Sequence, residues 1–464
     1  MKKLFALILA LAMALTLAAC TGTAGDESNG TSTASGSTVS GENTDSNGTA
    51  GSVSLLSEAQ YPETATYPDE ENWDEDAYDA WWTVTQERRA CAEDYPENYN
   101  DFVSATMAQF LVSKDGENAA YSPLNLYLAL AMLAETTAGE SQAQILTLLG
   151  ADSVEALRTQ ANALWRGNYC DDGTVTSLLA SSLWLSDSLT YQQDTLDALA
   201  ETYYASTYRG RMGSDEVNQA LQSWLNEQTG GLLEEQASGV ELSEYTIMAL
   251  ATTIYYKAAW MDEFWEDNNT EDTFHAPNGD LTCTFMNQSM ETNYYRGDQF
   301  GAVYRSLMNS GGMWLILPDE GVEVSSLLTD SQVMEMIEAE WEWEGCDYCQ
   351  VNLSLPKFDV SADLNLQDGL EALGVTDVFD ADVADFSPLS DVAAVLSTAT
   401  HAARVIVDEE GVEAAAYTVF TADAAELEAP LEEIDFVLDR PFLFVITGDT
   451  DTILFVGVVN QPVE

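Results

Sequence analysis

The chain has 464 residues, 46% hydrophobic and 10% aromatic, which is enough apolar material for a large core and excludes disorder throughout. Against 15 Lys and Arg stand 79 Asp and Glu, a formal net charge of -64. That excludes nucleic acid as a partner, because phosphate neutralisation needs clustered cations, and it favours basic partners over anionic membrane surfaces.

Lys2 and Lys3 precede an apolar run from Leu4 to Leu17 that closes on Leu17-Ala18-Ala19-Cys20. A short apolar run behind positive charge is the pattern of a cleaved signal and is too short for an ordinary membrane span. Residues 1–19 therefore read as a signal peptide. Small residues before a cysteine resemble a bacterial lipoprotein signal, whose cleavage leaves Cys20 as a lipid-bearing N-terminus; an ordinary secretory cleavage is the alternative. Residues 20–54 are almost all Gly, Ser, Thr, Asn, Ala and Asp without an aromatic side chain, so they cannot bury enough surface to become ordered. Such a flexible tether spans about 30 Å. The expected location is extracellular, at the cell surface, with the membrane touched only through Cys20. Residues 55–96 are acidic but carry Trp73, Trp81 and Trp82, and read as an extension packed on the main domain, residues 97–464.

Helical periodicity follows over Asp101–Val112, Leu124–Thr136 and Ser141–Leu149. Strand patterns come later, at Ile254–Tyr256, Met313–Leu317, Val351–Leu355, Arg404–Val407, Phe442–Ile446 and Ile453–Val459. The last two are near-continuous apolar runs joined by the polar turn Gly448-Asp449-Thr450-Asp451, the pattern of a hairpin buried on both faces. No repeat and no Gly/Ser linker interrupts residues 91–464, which points to one α+β domain.

Enzyme chemistry finds little support. The only histidines are His275 and His401, and the chain has no G-x-S-x-G, H-E-x-x-H, G-x-x-x-x-G-K-[ST] or G-x-G-x-x-G. Beyond Cys20, the odd set Cys91, Cys170, Cys283, Cys346 and Cys349 does not make a disulfide framework, and Cys346-x-x-Cys349 lacks the second pair of a structural zinc site. Packing or an incidental local disulfide is the favoured reading of that pair. No catalytic residue, metal or cofactor is expected.

The informative stretch is Glu409-Glu410-Gly411-Val412-Glu413-Ala414-Ala415-Ala416-Tyr417-Thr418, which resembles the hinge of serpins. The resemblance extends through Asn118-Ala-Ala-Tyr-Ser122-Pro123-Leu124, Ile254-Tyr-Tyr-Lys257-Ala-Ala-Trp260, Leu355-Pro356-Lys357-Phe358, Leu373-Gly374 with Val378-Phe379, Ala384-Asp385-Phe386-Ser387, Asp439-Arg440-Pro441-Phe442-Leu443-Phe444 and Leu454-Phe455-Val456-Gly457. All stand in family order across residues 97–462. The resemblance implies the serpin fold: a helix-rich N-terminal part, a large central sheet, a C-terminal buried hairpin and an exposed reactive loop. It implies monomeric inhibition of extracellular serine proteases, and of some cysteine proteases, by acyl-enzyme trapping and insertion of the cut loop as a new strand. A serpin-fold surface binding module without inhibition is the alternative, favoured by Tyr417 and the acidic loop.

Insertion asks alternate residues to face the interior, and from Val412 these are Val412, Ala414, Ala416 and Thr418, all small or modest and uncharged. Glu413 and Tyr417 fall on the outer face. Family loop length places the scissile bond at Ala425-Glu426, with Glu426-Leu427 or Leu427-Glu428 as alternatives. No Lys or Arg lies nearby, which disfavours trypsin-like targets and points to elastase-like or subtilisin-like ones, with a glutamate-preferring enzyme if Glu426 is the bait. By the same resemblance Trp260 lies under the loop entrance, and Glu409 pairs with Lys357. Ser122, Pro123, Asn125, Thr252 and His401 line the region that parts, with a neutral His401 expected to bond the side chains of Ser122 and Asn125. Thr252 replaces a usual Asn and Asn125 a common Ser, so the amide is expected to have moved across this network. Ala258 replaces a usual Gly, which puts the local backbone geometry in question.

Overall fold

A helix that is apolar all round has to lie inside the molecule, and in Pro123–Thr136 every residue but Ala129 is buried. Ser122 starts it by accepting the Asn125 N–H at 3.1 Å, and Pro123 occupies the first turn, where its missing N–H costs nothing. In this computed structural model, residues 53–68, 73–91, 95–96, 98–112, 116–396, 399–412 and 431–462 are described.

In chain order the strands are β1 (Ser54–Ser57), β2 (Ala119–Tyr121), β3 (Cys170–Asp171), β4 (Val175–Ser186), β5 (Ala205–Gly210), β6 (Met248–Ala259), β7 (Thr270–Ala276), β8 (Gly279–Arg296) and β9 (Phe300–Ser306). They continue as β10 (Gly312–Pro318), β11 (Cys346–Pro356), β12 (Phe358–Asn365), β13 (Thr400–Val407), β14 (Gly411–Val412), β15 (Glu433–Val437), β16 (Phe442–Thr447) and β17 (Ile453–Val459). The first sheet runs β1-β5-β4-β6-β14-β13-β12, with β3 beside β4; the second runs β15-β11-β8-β9-β10-β16-β17-β2, with β7 beside β8. The fold is mixed α+β, as expected. Every residue of β16 and β17 is buried, and they pair as the hairpin that their unbroken apolar runs predict.

The first helical period begins two residues earlier than the pattern suggested, at Tyr99–Phe110, and the third at Gly139. β6 is four times longer than its visible pattern, because Ala249, Ala251, Thr252 and Thr253 are small or polar residues without a clear period of two.

Residues 53–91 are built onto this frame. β1 pairs antiparallel with β5 and so adds an edge strand to the first sheet. The helix Glu75–Ala90 starts at Asp74, which accepts the Ala77 N–H, and its Trp81 donates to Asp172 Oδ2 at 2.9 Å, beside the β3–β4 turn. Its last turn sends Arg88 and Arg89 to one carboxylate, Asp449, at 2.8 Å each. Asp449 lies in the turn between β16 and β17, so this helix ties the first sheet to the second.

Candidate functional site

The site is the line between β6 and β13. Among the described residues these two strands share no ladder; β14 lies between them, with Gly411 opposite Ala259 and Val412 opposite both Ala258 and Val407. Val412 is buried, as its partners are. Gly411 is required by close approach: a Cβ there would stand 2.3 Å from the Ala258 carbonyl oxygen and 2.8 Å from Ala259 Cα. Ala258 itself sits in regular pairs with Val175 and Val412, so the usual glycine is not needed for the ladder.

A tight turn leads into this seat. Asp408 accepts the N–H groups of Glu410 and Gly411 at 3.0 and 3.2 Å, and its own N–H reaches the Gly411 carbonyl. The outer carbonyls are held by the segment after β6. Trp260, fully buried, donates through Nε1 to the Asp408 carbonyl at 2.9 Å and through its backbone to Glu410, and the Phe264 N–H donates to Glu409. Lys357 Nζ meets Glu409 Oε1 at 2.6 Å, and Asn269 donates to the same oxygen at 2.5 Å. Burial opposes ionisation of Glu409, but the hydrogen bonds from Lys357 and Asn269 outweigh it and hold the carboxyl below the ordinary range. Burial and the neighbouring charges of Asp408, Glu263 and Glu266 push Glu410 the other way.

Further along the line the chemistry becomes neutral. His401 is buried, and desolvation pushes its imidazole down to about 4, so the ring is uncharged at neutral pH. Its Nε2 accepts the backbone N–H of Ser122 at 3.0 Å. The expected bonds to the side chains of Ser122 and Asn125 are corrected here: His401 Nε2 takes the Ser122 backbone N–H, while the Ser122 hydroxyl oxygen accepts the Asn125 N–H at the helix start. Asn125 reaches instead across to β6, donating from Nδ2 to the Thr252 carbonyl at 3.2 Å. The amide does link helix to strand, but through main chain. Beside them lies an apolar cavity of about 60 Å³ lined by Leu126, Leu130, Leu250, Leu366 and Leu396 together with His401.

A family profile described as serpin (serine protease inhibitor) matches residues 97–462. The chain belongs to the serpin family. The leukocyte elastase inhibitor of Homo sapiens is 28% identical to this serpin over 74% of the chain and 93% of its own length. Among solved structures, the native state of the thermophilic serpin tengpin has a TM-score of 0.71 at 24% identity, covering 88% of this chain and all of that one. Thyroxine-binding globulin complexed with thyroxine has a TM-score of 0.67 at 21% identity, covering 80% of this chain and all of that one. These structural likenesses show the fold.

The structure brings together Ser122, Pro123, Asn125, Thr252, Trp260, Lys357, His401, Glu409, Glu410, Gly411 and Val412 of this serpin. Glu413, Ala414, Ala415, Ala416, Tyr417, Thr418, the bonds at Ala425, Glu426 and Leu427, and Cys20 lie outside the described residues. Cys346 and Cys349 stand three apart on β11 and therefore on opposite faces, which excludes a local disulfide within that strand. Sequence reading missed Asp408, Phe264 and Asn269. An Asp just before a Glu-Glu-Gly turn was a usable signal for the first; the other two are recognisable only once the chain has folded back on itself.

Proposed function

We propose that this serpin is a suicide-type inhibitor of extracellular serine proteases with elastase-like or subtilisin-like specificity, held at a bacterial surface through Cys20. The observation that carries the reading is the seat of β14, where Gly411 already pairs with β6 and Val412 with both strands that a new strand would join. On insertion in the same register, Ala414 would fall between Tyr256 and Val405, and Ala416 between Ile254 and Ala403, all four of them buried. Thr418 would reach Thr252 and His401. Glu413 would fall on the outer face opposite Lys257, a countercharge for its carboxylate.

In this reading the protease serine attacks the Ala425 carbonyl carbon, the Ala425-Glu426 bond breaks, and the acylated loop slides between β6 and β13 before water can free the enzyme. The inhibitor supplies no catalytic group. Fifteen residues from Gly411 to Ala425, extended, span about 50 Å and carry the enzyme the length of the sheet. Roughly ten added ladder hydrogen bonds at about 1 kcal/mol each make insertion favourable by roughly 10 kcal/mol, so the uncut form persists kinetically. A bait without Lys or Arg, and an elastase inhibitor among the relatives, support a small or apolar specificity pocket.

Mixing the protein with elastase-like, glutamate-preferring and subtilisin-like proteases tests this. An SDS-stable adduct and a released fragment beginning at Glu426 are expected; rapid cleavage without adduct and without a gain in heat resistance overturns it. That second outcome would favour a surface binding module without inhibition. Tyr417 supports that module, since on insertion its ring would face Thr253, which is only 3% exposed. Anchoring is tested separately: Cys20→Ala should release the protein into the medium and abolish fatty-acid labelling.

A further inference from the structure

β9 turns Arg305 inward beneath the Trp260–Phe264 segment and leaves it 5% exposed. Its fork ends on neutral groups. Nη2 donates to the Asp262 carbonyl at 2.6 Å and to Gln288 Oε1 at 2.7 Å, and Nη1 to Met290 Sδ at 2.8 Å. The guanidinium carbon stands 5.8 Å from the Trp260 ring centre and 5.2 Å from that of Phe264. Nε is buried without an acceptor among the described residues. Burial pushes the guanidinium down to about 10, with the charge of Asp262 acting the other way.

A buried cation without a bonded carboxylate is a poor device for stability, since an apolar side chain of similar volume would fill the space without desolvating a charge. Its contacts indicate another use. Trp260 and Phe264 are the residues whose N–H groups hold the carbonyls of Asp408, Glu409 and Glu410, immediately before the seated pair Gly411 and Val412. Arg305 grips both rings and the carbonyl of the turn between them, and fastens all three to β8 through Gln288 and Met290. Two attractive ring faces and a planar fork suit Arg here and no other side chain.

The geometry points to Arg305 as a positioning residue that holds the Trp260–Phe264 segment rigid, so that the hinge stays seated between β6 and β13 and insertion starts from pairs already formed. Its consequence for inhibition rests on the function proposed above, whereas its effect on the hinge can be read without any protease. Hydrogen exchange followed by mass spectrometry on the full chain compares wild type with Arg305→Met. Peptides covering 258–266 and 405–412 should exchange at least tenfold faster, peptides of β16 and β17 should be unchanged, and the unfolding midpoint should hold or rise. Arg305→Lys, which keeps the charge near the rings but loses the fork, should lie between the two. With an elastase-like protease, Arg305→Met should at least double the moles of inhibitor consumed per enzyme trapped.

Unchanged exchange in the two hinge peptides overturns the proposal, and so does an equal acceleration in every peptide, which would mark a general loss of stability. If Arg305→Met does not fold, Arg305→Lys and Gln288→Met carry the same comparison. Failure to trap any protease would overturn the inhibitor reading and leave the exchange result standing.

Discussion

The two stretches of the line between β6 and β13 are held in opposite ways. At the hinge end charge dominates: Glu409 with Lys357, the capped turn at Asp408, and the crowded carboxyls of Glu410, Glu263 and Glu266. At the middle, neutral groups do the holding, with the uncharged His401 ring on a backbone N–H and the Asn125 amide on a backbone carbonyl, beside an apolar cavity. The contrast teaches that a seam can be opened in stages. At the hinge end β14 already separates the two strands, whereas in the middle the buried neutral hydrogen bonds lose their partners only when apolar surface parts with them.

The largest break in that comparison comes from putting charge into the apolar ladder itself. Val412→Glu would bury a carboxylate between Ala258 and Val407 at a cost of several kcal/mol, and should leave a protein that is cleaved without adduct. Full adduct formation by this variant on denaturing gels would show that Val412 does not seed insertion.

Next comes acidity at the middle. His401 is neutral in the fold down to about pH 4, while in the unfolded chain it takes up a proton near pH 6.5. Between those values the unfolded state binds the extra proton, so stability should fall as pH drops through the window, by about 3 kcal/mol at most, and level off below it. Denaturant midpoints from pH 7 to pH 4 should therefore fall more steeply for wild type than for His401→Gln; identical slopes would remove His401 from the seam's pH response.

Asn125→Ala loses one hydrogen bond and strands the Thr252 carbonyl, an effect of about 1 kcal/mol. It should lower the unfolding midpoint or hasten spontaneous conversion to a heat-resistant, inactive form, and no change in either would deny the amide its role. The smallest effect belongs to Glu409→Gln, worth under about 1 kcal/mol because the pair is partly solvated. The depressed carboxyl of Glu409 contributes above the unfolded value, near pH 4.5, and its contribution disappears as pH falls through the lower folded value. Added salt should speed hinge exchange in wild type more than in this variant.

Much of the seam was legible because short motifs carry it. Pro123 after a Ser, Trp260 after a strand, and Lys357 opposite Glu409 each stand at spacings that resemble the serpin pattern, and the structure brings them together. Donor and acceptor identities were less legible. Nothing in the sequence says whether His401 meets the Ser122 hydroxyl or its backbone N–H, and the fold selects the N–H. Arg305 was overlooked because one charged residue in the apolar run Phe300–Ser306 reads as an outward-facing position; only the fold shows two rings and a turn closing over it. The edge strand β1 and the paired arginines at Asp449 were illegible for a different reason, since their partners lie far away in the chain.

Gly411 divides what this protein is free to change. With no room for even a methyl group against Ala258, Gly411 itself tolerates no substitution without a backbone shift. In the inhibitor proposed above, residues near Ala425 would answer only to the enzyme to be caught. On that proposal a lineage could exchange its bait while the seat at Gly411 stays the same, and variation among close descendants should concentrate after Thr418 and fade towards Gly411.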